Sequence, residues 1–225
     1  CVNFARFYKI FLEKENFKMK KRLHDKKAGI AILAALIIIS LVEVILRSVI
    51  LKEGMINLAN AGEPIITAAI SLLLLTFALK GKDRVFYILC GIWLGFFVLN
   101  QLYGLPGMIA DTIERFGAGS LNTAMCNLIH AISMICIVFI GALLIEYMND
   151  GSIYNKAFNI LCAITVVLLL SLALHNGVYD ALILGRTEVF LASLHNLSRV
   201  TMIFLFTFFA YDSAKAQLKK TNLTK

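Results

Sequence analysis

The sequence predicts an all-α fold: a polytopic integral membrane protein, a bundle of six transmembrane helices with both chain ends in the cytoplasm. Three observations predict it. First, only 16% of the residues are charged and 60% are hydrophobic, where a soluble domain carries about 25% charged residues. Second, six apolar stretches are long enough to cross a bilayer, which takes roughly 20 residues as a helix. Third, lysine and arginine segregate to one set of the connections between those stretches.

The elements follow in chain order. Residues 1–27 form a basic amino-terminal segment. Met19 is followed by Lys20, Lys21 and Arg22, a common opening for a bacterial membrane protein, and Glu13-Lys14-Glu15 is encodable by codons that contain a ribosome-binding sequence. Residues 1–18 are therefore expected to be translated upstream sequence. The competing expectation is an interfacial helix, since Phe4, Phe7, Phe11 and Leu12 alternate with lysine and arginine. The transmembrane domain is expected over 28–213, with spans at about 28–51, 64–80, 85–103, 122–147, 157–175 and 189–211. The second span is expected to open at Pro64, because proline suits a first helical turn, where no N–H is needed. Lys80-Gly81-Lys82-Asp83-Arg84 and Asn149-Asp150-Gly151-Ser152 read as turns. Residues 104–121 read as a loop on the outer side with a short helix around Met108–Phe116. A basic tail, 214–225, closes the chain.

Orientation follows from the basic residues. Counted from Met19, five lie before the first span, three at 80–84, one at 148–156 and four in the tail, against Arg47, Lys52, Arg115 and Arg186 on the opposite side. The richer side faces the cytoplasm, which places the protein in the cytoplasmic (plasma) membrane. The net charge of +8 is thereby explained by the lipid bilayer, and nucleic acid is not expected as a partner. Four of the five cysteines lie within apolar runs and none forms C-x-x-C, so neither a disulfide framework nor a thiolate zinc site is expected. Gly91-x-x-x-Gly95 and Ala31-x-x-x-Ala35 mark expected helix contacts.

Polar groups inside a bilayer are costly, so their depth is informative. At 1.5 Å per residue from the cytoplasmic end, Glu43 and Asn100 fall at ~22 Å, His130 and His195 at ~25 Å, His175 at ~27 Å and Arg199 at ~20 Å. Glu43, Asn100, Gln101, His130, His175, Asn176, His195, Asn196 and Arg199 thus share one layer in the outer half. The inner half holds only small hydroxyls and thiols. Asp111, Glu114, Asp180 and Glu188 are expected on a solvated outer rim.

Arg199 carries most weight, because a guanidinium does not deprotonate and needs a counter-charge, water or a ligand. Glu43 reaches either Arg47, four residues on, or Arg199 across the bundle. His195 and Asn196 share the Arg199 face of the sixth span. The first functional expectation is an outward-facing pocket that binds a small polar or anionic solute for uptake or sensing, through Arg199, His195, Asn196, His130, Asn100, Gln101 and Glu43. In size and topology the chain is similar to the substrate-capture subunits of vitamin-uptake transporters, which implies a partner subunit; the resemblance is architectural. The second is an intramembrane enzyme using a metal on His130, His175 and His195, or a haem held by two of them. The third is a non-catalytic accessory or immunity-type membrane protein. No nucleophile elbow or phosphate-cradling glycine motif is present.

Overall fold

A computed structural model describes residues 23–50, 58–150, 156–186 and 189–223. The elements are α1 (Leu23–Ile50), α2 (Leu58–Leu79), α3 (Asp83–Gly117), α4 (Leu121–Asp150), α5 (Lys156–Leu174) and α6 (Phe190–Leu223), with a π-helical segment, His175–Ile183, continuing α5. No strand occurs among the described residues. Among the described residues, six helices are long and apolar enough to cross a membrane. Segment 1–18, the Gly151-Ser152 part of the second expected turn, and Glu188 lie outside the described residues.

Each helix packs on the next, and α6 returns to α1, so the six close into a ring. Helix α6 also touches α3 and α4 and is the most buried of the spans. Two tight turns set the antiparallel order. Gly81, between α2 and α3, has φ 67°, and Gly119, between α3 and α4, has φ 74°. Both lie in the left-handed region, where glycine ends a helix without a steric penalty. The amide of Lys82 closes the first turn on the Phe77 carbonyl at 3.0 Å.

Three helices differ from the sequence expectation. Helix α2 starts at Leu58, ahead of Pro64. Helix α3 runs through Pro106 to Gly117, so the expected outer loop is mostly helix. A proline inside a helix removes one i→i−4 bond, here to Leu102, and the turns on either side persist. Helix α6 extends into the expected tail, as far as Leu223.

The apolar core lies toward the Gly81 end of the bundle. It joins Leu33 and Leu36 of α1, Leu74 of α2, Phe86, Cys90 and Trp93 of α3, Ile137 and Ile140 of α4, Cys162 and Leu169 of α5, and Ile203, Phe206 and Phe209 of α6. Phe97 faces Phe206 with ring centroids 6.1 Å apart, and Tyr87 faces Phe209 at 5.8 Å. The expected small-residue contact is only half present: Gly91 packs on Phe209, and Gly95 faces open space. The close approaches are at other glycines. A Cβ on Gly29 would sit 2.6 Å from the Phe208 ring, and one on Gly141 would sit 2.7 Å from a Val98 methyl.

A buried polar cluster at the candidate site

The site is built on α6. His195, Asn196 and Arg199 occupy neighbouring positions of one helical face, as their spacing requires. Arg199 is 8% exposed. Its Nη1 donates to Nε2 of His130 on α4. A guanidinium has donors only, so His130 Nε2 is the unprotonated ring nitrogen. Arg199 Nε is buried with no hydrogen-bond partner among the described residues, and so is Asn196 Oδ1.

Helix α1 contributes Glu43 and Arg47. One turn apart, they meet directly, Arg47 Nη2 to Glu43 Oε1 at 2.7 Å and Nε to the same oxygen at 3.1 Å. Glu43 is buried. Of the two partners open to it, Glu43 therefore takes Arg47. Among the described residues no carboxylate oxygen lies within 4.0 Å of the Arg199 guanidinium. Arg199 nonetheless interacts electrostatically with Glu63 and Glu43 at longer range.

Glu63, on α2, enters the site because α2 begins before Pro64. Its Oε1 lies 3.8 Å from His195 Nε2, and its side chain is 52% exposed. Glu63, Arg47 and His195 are the partly open members of the cluster, and Arg199 and Asn196 are its buried floor. The arrangement is a polar path from a half-exposed carboxylate to a desolvated guanidinium. Chemically it offers charge pairing and hydrogen bonds; the described members include no activated nucleophile.

The remaining expected residues are placed differently. Asn100 is exposed on α3, and its neighbour Gln101 is 0% exposed with both amide atoms unpartnered among the described residues. Successive residues on a helix point about 100° apart, and here that turns Asn100 to the surface and Gln101 to the interior. His175 lies in a second polar group. Its Nδ1 is 3.3 Å from Asp180 Oδ2 and 3.8 Å from Cys126 Sγ, and its ring lies 5.2 Å from that of Tyr179. The three histidines therefore do not converge, and among the described residues no three His, Cys, Asp or Glu side chains are grouped to hold a metal ion. His130 also has its Nε2 engaged by Arg199.

Asp180 corrects the expected solvated rim. It is 7% exposed and lies in the π-helical segment. An i→i+5 winding stacks residues five apart, which brings Asp180 under His175. Asp111, also expected on the rim, belongs to α3, where it accepts from Asn127 of α4 and from Arg115 at 3.4 Å. Glu114 also lies within α3 and is exposed. The segment is seated on α6 through Gly177: Ser193 Oγ fills the space of a Cβ there and donates to the Ala173 carbonyl at 2.7 Å.

No protein-family model, curated protein or solved structure matches this chain.

Proposed function

We propose that the chain is a multi-pass protein of the cytoplasmic membrane, with both termini inside, that captures a small solute bearing an anionic group from the outer side for uptake or sensing. The observation that carries this reading is Arg199: buried, donating to an imidazole, with no described carboxylate within 4.0 Å and with Nε unpartnered. Leaving a charged donor unsatisfied in a desolvated place is expensive. A bound carboxylate or phosphate oxygen relieves that cost with charge-assisted hydrogen bonds. Glu63, Arg47 and His195 supply the way in, and the half-exposed Glu63 marks its mouth.

The orientation rests on the basic residues of the Gly81 end, Lys80, Lys82 and Arg84, against the sparsely basic Gly119 end. The apolar core between the cluster and the Gly81 end supports capture over free passage. Uptake then calls for a partner subunit or a rearrangement.

The test is thermal unfolding of the detergent-solubilised chain with propionate, succinate or inorganic phosphate. A ligand at a hundred times its Kd stabilises by about 2.7 kcal/mol. A saturable rise in Tm with at least one of the three, lost in Arg199→Gln, is the expected result. Absence of any rise, or a rise unchanged in Arg199→Gln, overturns the proposal.

A further inference from the structure

We infer that the solute is a zwitterion, carrying a cationic ammonium as well as its anionic group, with Glu63 taking the cation and Arg199 the anion. This deepens the preceding reading and rests on Arg199 being a ligand contact. Two observations carry it.

The first is the charge balance of the cluster. Among the described residues its charged members are Glu43, Glu63, Arg47 and Arg199, two of each sign. With neutral imidazoles these described charges sum to zero. A simple anion entering it leaves an uncompensated charge in a place largely removed from water, where charge is costly. A zwitterion enters and leaves the balance unchanged.

The second is the geometry of the two carboxylates. Glu43 is paired with Arg47 at 2.7 Å, so its charge is already matched by a cation on its own helix. Glu63 is open. It is half-exposed, its Oε1 lies 3.8 Å from His195 Nε2, and it interacts with Arg199 electrostatically with no ion pair between them within 4.0 Å. A carboxylate and a guanidinium held apart, with an imidazole from the same helical face as the guanidinium beside the carboxylate, form two half-sites of opposite sign. A compact molecule with an ammonium at one end and a carboxylate at the other joins them: its ammonium donates to Glu63, its carboxylate accepts from Arg199, and His195 and Asn196 line the gap. The unpartnered Asn196 Oδ1 is a further acceptor on the same floor.

The experiment compares zwitterions with carboxylates of the same carbon skeleton that lack the amine. The solubilised chain is titrated, by thermal shift, with glycine, alanine, β-alanine and 4-aminobutanoate, and in parallel with acetate, propionate and butanoate. The zwitterion series varies the distance between the charges, so one member is expected to bind best and at least ten-fold more tightly than its desamino counterpart. In Glu63→Gln that preference falls to two-fold or less, because the zwitterion loses its partner while the carboxylate loses a repulsive neighbour. Glu63 is at the half-exposed mouth, so an unliganded Tm equal to that of the parent checks the fold of this variant. In Arg199→Gln both series lose their shift. If carboxylates bind as well as zwitterions, or if Glu63→Gln keeps the full preference, the inference is overturned and the anion reading stands. If neither series nor phosphate binds, both fall together.

Discussion

The seam between the π-helical segment and α6 allows a worked test of how the site is held. At Gly177 an added Cβ would lie 2.7 Å from Ser193 Oγ and 3.3 Å from Ser193 Cβ. That hydroxyl donates to the Ala173 carbonyl at 2.7 Å in a buried place, so it cannot swing away freely. Gly177→Ala therefore costs the hydrogen bond, about 1 kcal/mol, plus an overpacking cost of roughly 1–2 kcal/mol. Exchange of glycine for alanine in a helix returns about 0.5–1 kcal/mol. The net expectation is a loss of about 2 kcal/mol. Ser193→Ala alone removes the bond, at about 1 kcal/mol. With the hydroxyl gone, only the 3.3 Å approach to Cβ remains. Gly177→Ala in that background should then change stability by less than about 0.5 kcal/mol. The four proteins of this cycle are compared by thermal unfolding in detergent with a thiol-reactive dye, since Cys90, Cys136 and Cys162 are buried and become reactive on unfolding. An equal cost of Gly177→Ala with and without the serine hydroxyl would refute the steric account. It would also remove the reason for a glycine where the segment meets α6.

Two other outcomes are expected. Arg47→Gln strips the direct partner from buried Glu43 and should cost about 3 kcal/mol, while the double change with Glu43→Gln recovers most of that; a double variant no more stable than Arg47→Gln would show that Glu43 is satisfied elsewhere. A single cysteine at Ser120, in a background without native cysteines, should react in intact cells with a membrane-impermeant maleimide, and one at Lys82 only after permeabilisation; the reverse pattern would invert the topology and place the cluster near the inner surface.

What was legible in the sequence is the part governed by local rules. Runs of apolar residues gave six helices long and apolar enough to cross a membrane, as they would where backbone groups must be satisfied within each helix. The spacing of Glu43 and Arg47 made their pair one of the two open to Glu43, with Arg199 the other, and the structure takes Arg47; the spacing on α6 gave the shared face of His195, Asn196 and Arg199. Three things needed coordinates. Glu63 was hidden because Pro64 is a good helix start, yet α2 starts at Leu58 and carries Glu63 into the cluster. Asp180 looked like a rim residue because the fifth span was expected to end at about 175 and leave it in an outer loop; the helix instead continues as a π-helical segment that joins it to His175. Asn100 and Gln101 share a depth, and no count of residues decides which of two neighbours faces inward. The helix order decides it, through contacts such as Val98 against Gly141 and Phe97 against Phe206.

The same contacts bear on what the chain does alone. Below Arg199, α6 presents Ile203, Phe206 and Phe209, all at most 2% exposed, to a core drawn from the other five helices. At Gly29 the α1 backbone and the Phe208 ring approach so closely that not even a methyl group would fit between them. A polar solute meets only small hydroxyls and thiols there, such as Ser71, Cys90 and Thr165, and every buried polar group without a partner is penalised. Lowering the penalty means parting α1 from α6, which exposes closely packed apolar surface. On the proposed reading, capture at the Glu63 mouth requires none of this, because the charges there are already opposed and held apart. On the same reading, recognition belongs to the polar half of this bundle, and movement of the solute falls to a partner subunit or a rearrangement that parts these helices.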